Sequence, residues 1–313
     1  MKIEKFFSAS QNFFSLILAT LRGISQVILI KNAFSGFIIL LAITVSSYYL
    51  GLIALLSSFI GTVIAKIGGA DEGKIKQGLF GYNSVLTGIA LALFLSGPYQ
   101  WIIALVGAGI AAIVTATIMH IMRNSELPIL TFPFIILTWL MLLISYHMEA
   151  FQLSSDLIPQ DLASWELHIV GSINWTEGIF SGISQIFFLD NMLSGILISI
   201  AIFFSSIRTG IYAVLGNISA VIIAFFLGAE PNLISIGLYG YNAILTILAV
   251  SIVFNDKKQP IKLFSGIFAA CVSVLITASI SSWLVPYGLP ALTMPFVLCS
   301  WIFLSAKKLL PKL

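Results

Sequence analysis

Long apolar runs separated by short polar connections make up nearly all of this chain. A bilayer span needs roughly 20 predominantly apolar residues. Runs near that length are predicted at about 34–50, 51–67, 79–96, 100–121 and 128–147. A second set follows near 193–206, 210–228, 236–254, 261–280 and 289–305. Ahead of each set lies a stretch that fits poorly. Residues 6–31 hold Arg22, Gln26, Lys31 and, just beyond, Asn32, and predict an interrupted segment; a second broken segment is predicted at about 179–190. Residues 148–178 form the one long polar connection.

Two of the runs open on an unusual box. LPILTFPF, Leu127 to Phe134, returns as LPALTMPF, Leu289 to Phe296, each with two prolines around a threonine. Inside a helix the second proline removes a hydrogen bond and clashes with the preceding turn. In a membrane, broken backbone is tolerated where it is buried in protein or lines a water-filled cavity. The boxes therefore predict a lined pathway, with Pro133 and Pro295 freeing the carbonyls of Ile129 and Ala291.

The boxes belong to a larger duplication. GISQVILIKNAFSG, Gly23 to Gly36, returns as GISQIFFLDNMLSG, Gly182 to Gly195, displaced by 159 residues. LFGYNSVLTG, Leu79 to Gly88, returns as LYGYNAILTI, Leu238 to Ile247, at the same displacement, while the boxes are displaced by 162. A tryptophan follows each box, at Trp139 and Trp301. Such self-similarity is the mark of a repeat architecture. If each copy holds five spans, an odd number, the second lies upside down relative to the first. Inverted repeats build sites near the bilayer midplane at their interface. The organisation expected is residues 1–150 as the first repeat, 151–178 as an extracytoplasmic connecting loop and 179–313 as the second repeat. The fold class is then an all-α polytopic membrane protein: two inverted repeats of about five transmembrane helices each, plus a short broken or re-entrant segment, around a central pore.

Composition removes the competing classes. Of 313 residues, 59% are hydrophobic and 9% charged, and the mean hydropathy of +1.08 excludes a soluble globular chain. A net charge of +3 is too small to argue for nucleic acid. The basic residues serve as topology signals. With the N-terminus cytoplasmic, Lys74, Lys76, Arg123, Arg208, Lys257, Lys258 and Lys262 fall in cytoplasmic loops, and Lys307, Lys308 and Lys312 in the tail. The opposite side receives Glu149, Asp156, Asp161, Glu166, Glu177 and Glu230 and no Lys or Arg, so both termini are expected in the cytoplasm. The N-terminal segment lacks a good small-residue cleavage site and is read as retained. Cys271 and Cys299 both lie in apolar runs and read as small core hydrophobes.

Several repeated residues could line a pathway. Gln26 and Gln185 are equivalent, and an amide that both donates and accepts suits a neutral polar solute. Each could equally tie helix ends together. Thr131 and Thr293 stand in the boxes, where their hydroxyls either bond back to the helix or extend a row of oxygens. Tyr82 with Leu86, and Tyr241 with Leu245, share one helix face, as packing or as a pore wall. Asn83 and Asn242, like Asn32, Asn191, Ser35 and Ser194, read as groups that satisfy backbone near helix starts. The well-defined spans carry no acidic residue in their interiors, and His120, His147 and His168 form no cluster. A metal site, a proton relay and a hydrolase nucleophile–base pair therefore all lack candidates, and no cofactor and no enzymatic activity are expected.

Taken together, the paired LPxxTxPF boxes, the GISQ…N..SG segments and the GYN…LT segments resemble the urea transporter family, from about Arg22 to Trp301. That resemblance implies a bacterial member in the inner, or plasma, membrane. It implies two inverted halves around a selective pore in each subunit, a homotrimer, and passive, channel-like movement of urea. It also implies that Gln26 and Gln185 flank the urea sites and that Thr131 and Thr293 form the central constriction. Val27, Leu29, Ile186, Phe188, Tyr82, Leu86, Tyr241 and Leu245 would be the apolar slot walls. Some bacterial relatives place a glutamate where this chain has Gln185. Leu29 is aliphatic opposite the aromatic Phe188, so the two slots need not be equally selective.

The chemistry of urea suits such a lining. It is small, planar and neutral, with four N–H donors and one strong acceptor. A flat apolar slot excludes hydrated ions, which cannot recover their desolvation cost there. An edge of carbonyl and hydroxyl oxygens accepts successive N–H bonds, each a modest net gain because it replaces one to water. The alternatives are a carrier, coupled or not, of another small neutral solute such as ammonia or a short amide, and an intramembrane enzyme.

Overall fold

The computed structural model describes residues 2–155, 157–254 and 261–310. Asp156, Lys257, Lys258 and Lys312 of the charge pattern lie outside them. The chain is overwhelmingly helical. In the first part come α1 (Lys2–Gln26), α2 (Ala33–Ser46), α3 (Tyr48–Ile67), α4 (Glu72–Lys76), α5 (Gly81–Phe94), α6 (Gln100–Ile121) and α7 (Phe132–Leu143). The second part repeats that order as α8 (Trp175–Ser184), α9 (Met192–Ser205), α10 (Ile207–Phe226), α11 (Pro231–Ser235), α12 (Gly240–Leu248), α13 (Ile261–Leu284) and α14 (Met294–Leu309). Two short strands, β1 (Leu95–Ser96) and β2 (Gln152–Leu153), pair antiparallel and pin the connection between the parts.

Three expectations need correction. Residues 6–31 are not interrupted throughout: α1 runs unbroken to Gln26, and the break is confined to residues 27–32. Arg22 is accommodated because its guanidinium donates to the Lys76 carbonyl at 3.0 Å, at the helix end rather than in the apolar interior. The long connection is shorter than expected, since α8 already begins at Trp175. Finally, ten full spans were predicted, but among the described residues four stretches are individually long and apolar enough to cross a membrane: Tyr48–Ile67, Gln100–Asn124, Ile207–Phe226 and Leu263–Tyr287. The segment Trp175–Phe187 and the helix Met192–Ser205 qualify together across a 74° bend. The remaining apolar helices, among them Ala33–Ser46 and Gly81–Phe94, are too short to span alone.

Local chemistry explains where the helices start. Asn32 and Asn191 are N-caps, each accepting two backbone N–H bonds from the first turn of α2 or α9. Ser47 and Ser206 cap α3 and α10 and separate them from the helices before, so the boundary expected near residue 50 falls at Ser47. Ser35 and Ser194 do something else. Each hydroxyl donates across to a carbonyl in the other part, Ser35 to Ala201 and Ser194 to Ala42, both at 2.8 Å. The two bonds clasp α2 to α9 at the centre of the molecule. Gly36 and Gly195 let those helices approach the preceding ones: an added Cβ would lie 1.9 Å from the Leu21 carbonyl oxygen or 2.1 Å from that of Phe180. One apolar core, running from Ile24 to Val297, joins both parts.

Candidate functional site

Each box is an extended segment leading into a helix, not a kink within one. α7 begins at Phe132 and α14 at Met294, with Pro133 and Pro295 in their first turns. A proline there costs little, because its missing N–H is one the helix leaves unpaired anyway. The carbonyls of Ile129 and Ala291 are therefore not freed by a kink. They accept turn bonds from the Phe132 and Met294 N–H groups at 3.2 and 3.3 Å. The turn itself uses Leu130 and Leu292 in left-handed backbone, at φ 49° and 52°. Such a conformation is unfavourable for leucine and persists only where surroundings impose it.

The surroundings are visible. The Tyr82 hydroxyl donates to the Leu130 carbonyl and the Tyr241 hydroxyl to that of Leu292, at 2.5 and 2.7 Å. Trp139 donates from Nε1 to the Pro290 carbonyl at 2.9 Å, and Trp301 to that of Pro128 at 2.8 Å. Each box is thus held by a tyrosine from its own part and a tryptophan from the other. Asn242 adds a further tie, accepting from the Phe296 N–H at 3.2 Å, whereas Asn83 donates to the Thr115 hydroxyl at 3.0 Å. The tryptophans, Leu130 and Leu292 were not among the expected site residues, although the recurrence of a tryptophan after each box was a usable signal.

Between the two boxes, Thr131 and Thr293 meet. Their Oγ1 atoms lie 2.6 Å apart, in hydrogen-bond contact, with only 2% and 1% of these residues exposed. The two residues are also the N-caps of α7 and α14, so two helix N-termini converge on one point. The N-terminal end of a helix carries partial positive charge.

On one side of this pair lies a cavity of about 470 Å³, lined by Gln26, Leu29, Tyr82, Leu130 and Val253 among others, with Lys31, Lys74, Arg123 and Glu126 at its walls. Gln26 is the last residue of α1, is 6% exposed, and its Oε1 accepts no bond from the protein. Leu29 follows in left-handed backbone at φ 59°, matched by Phe188 at φ 60°. Both turns are closed the same way: Ser25 donates to the Ile30 carbonyl and Ser184 to that of Leu189, each at 2.8 Å. The Glu126 carboxylate pairs with Lys308 at 2.9 Å, which holds its carboxyl below the usual range.

Not all expected residues share that cavity. Thr131, Thr293, Gln185, Ile186, Phe188, Tyr241, Leu245, Leu86 and Val27 are not part of its lining. Gln185 and Phe188 are half-buried, and the Phe188 ring packs between Phe94 and Phe134 at centroid distances of 5.7 and 6.1 Å. Val27, Ile186, Leu86 and Leu245 are fully buried, as ordinary core residues are. Among the described residues, no group of His, Cys, Asp or Glu could hold a metal ion.

A family model described as urea transporter matches residues 17–308. The chain belongs to the urea transporter family. Its relatives include urea transporter 1 of Rattus norvegicus, 28% identical over 303 residues, and urea transporter 1 of Ovis aries, 27% identical over 289 residues. Each alignment covers 91% of this chain and 75% of the relative. Membership makes the chain an integral membrane transporter, not an enzyme.

Proposed function

We propose that this chain carries urea passively across the membrane, through a slot whose narrowest point is the Thr131–Thr293 pair. The observation that carries the reading is that pair itself: two buried hydroxyls meeting where two boxes and two helix N-termini converge. A permeating urea replaces the mutual hydroxyl bond with its own N–H donors, then gives the bond back on leaving. The partial positive charge of the helix ends faces the urea carbonyl oxygen and opposes ammonium and metal cations. Gln26, buried with a free acceptor oxygen, offers a site before the constriction, and Gln185 stands at the equivalent position beyond it.

Other features support the finer parts of this reading. The reciprocal tryptophan and serine bonds fit two inverted halves, residues 1–150 and 179–313, related by a pseudo-two-fold axis through the threonines. The cationic walls of the Gln26 cavity fit a cytoplasmic mouth. We further propose a homotrimer with one pore per subunit.

A coupled carrier is the second reading, and it needs a buried ionisable group. Among the described residues, no Asp, Glu, Lys, Arg or His is buried. Proteoliposomes holding the purified chain should admit urea without a pH gradient, sodium or voltage; strict dependence on any of these would overturn the passive mechanism. Gln26→Ala should slow that entry while leaving thermal unfolding in detergent nearly unchanged. Wild-type flux in both Gln26→Ala and Thr131→Val would place the pathway elsewhere.

A further inference from the structure

The mouth of the Gln26 cavity and the matching region in the other copy share a tie but not a charge. Lys308 donates from Nζ to the Ser125 carbonyl at 2.9 Å, and the Tyr146 hydroxyl donates to the Tyr287 carbonyl at 3.0 Å. A displacement of 162 residues relates Lys308 to Tyr146 and Ser125 to Tyr287. One bond is therefore made twice, by an ammonium in one place and by a phenol in the other. Lys307 likewise stands where the first copy has Ser145, and it donates to the Val250 carbonyl at 3.2 Å. Two residues that line the cavity follow the same trend at a displacement of 159. Lys31 stands where the second copy has Asp190, and Lys74 where it has Leu233. Cations have thus gathered around one mouth from both copies of the repeat.

Lys31, Lys74 and Arg123 line a cavity of about 470 Å³, within the roughly 300–1,000 Å³ of small-molecule sites. Among the described residues Glu126 is the one carboxylate in that lining, and Lys308 engages it at 2.9 Å. Among the same residues, no carboxylate is in ion-pair contact with Lys31, Lys74 or Arg123. Topology accounts for cations on one side of a membrane, but not for their convergence on a single cavity. A concave site lined by one sign of charge concentrates ions of the other. The Arg123 fork suits an oxyanion, and lysines beside it act as point charges. Neutral urea gains little from such a rim. We propose that this mouth binds a small multivalent anion of the phosphate type, which slows urea by filling the space in front of Gln26. This regulation rests on the urea-slot reading above. The phosphate group is the shared chemistry of two sources, a free anion and a lipid headgroup.

The test measures urea flux in vesicles of both orientations, made of zwitterionic lipid, with inorganic pyrophosphate on one face at a time. Pyrophosphate on the Gln26 face should slow urea, the other face should be insensitive, and the block should weaken as salt rises. Lys31→Gln, Lys74→Gln and Arg123→Gln should each raise the half-block concentration about two- to fivefold, the range of an exposed ion pair. Lys74→Arg, which keeps the charge, should not. A parallel arm replaces pyrophosphate with phosphatidylglycerol in the vesicles; slowing there alone would assign the site to headgroups. Block equal from both faces, block unmoved in all three Gln variants, or no effect of either source would overturn the proposal. If wild-type vesicles pass no urea at all, the urea reading fails, and calorimetric titration of the purified chain with pyrophosphate decides the anion site by itself. No binding there, or equal binding by the triple Gln variant, would overturn it.

Discussion

The first and second copies of the repeat agree in backbone and diverge in side chains. Asn32 and Asn191 cap alike, Ser25 and Ser184 close the same turn, and Tyr82 and Tyr241 hold the same leucine carbonyl. Against this, Leu29 faces Phe188, Lys31 faces Asp190 and Ser58 faces Asn217 across the comparison. Even the last exchange conserves a bond: Ser58 donates to the Thr20 carbonyl, and Asn217 to that of Ile179, its equivalent. The shared parts are those that aim the two boxes at each other. Of the divergent residues, Leu29 and Lys31 line the Gln26 cavity, while Ser58 and Asn217 are buried between helices.

That division can be broken at its backbone first. Gly36→Ala and Gly195→Ala should each cost about 3 kcal/mol or more, since the new Cβ meets backbone that cannot retreat. Thermal unfolding in detergent should show both variants similarly destabilised. A tolerated alanine at one site alone would mean the copies do not share this constraint. Next comes the threonine pair. Thr131→Val and Thr293→Val should each lower urea flux about 2- to 10-fold, the worth of a single hydrogen bond. Because the two hydroxyls share one bond, the double variant should fall short of the product of the single effects. Multiplicative losses would show that the hydroxyls act separately.

Smaller effects test the cross-ties. Trp139→Phe and Trp301→Phe each leave a proline carbonyl without its donor and should destabilise by about 1 kcal/mol. Unequal losses would show which box leans more on the other copy. The smallest effect is expected at the exposed Glu126–Lys308 pair. Its carboxyl is held below the usual range, so the pair contributes above the unfolded value and is lost as pH falls through the lower folded one. Glu126→Gln should lower stability slightly at neutral pH, and its difference from the wild type should vanish as pH falls through the acid range. A large change at neutral pH would contradict so exposed a pair.

Much of this arrangement was readable from the chain, and the misses have physical causes. α6, Gln100–Ile121, was placed to the residue because one uninterrupted apolar run both starts and ends at polar neighbours. That Thr131 and Thr293 share one constriction was an expectation of the family resemblance, since the boxes alone left back-bonding of each hydroxyl open. The boxes were misread as kinked helices, since apolarity cannot distinguish helix from extended chain, and nothing local announces Leu130 in left-handed backbone. Tyrosine and tryptophan bonds from far along the chain impose it. α1 was broken too early because Arg22 and Gln26 look unsuited to a span, yet the first reaches a carbonyl and the second ends the helix. The exchange between Tyr146 and Lys308 escaped notice because neither residue stands in a recognisable motif, although the displacement of the boxes relates them.

The tie between Trp301 and the Pro128 carbonyl spans 173 residues of chain. During synthesis, Pro128 leaves the ribosome long before its partner exists. The first box therefore has to wait, with one carbonyl unclaimed, until nearly the last helix has entered the bilayer. Thr131 waits with it, since its partner hydroxyl arrives on the same late segment. The contact between the two boxes is therefore expected to be among the last completed during insertion, because both its bonds wait for the same late segment.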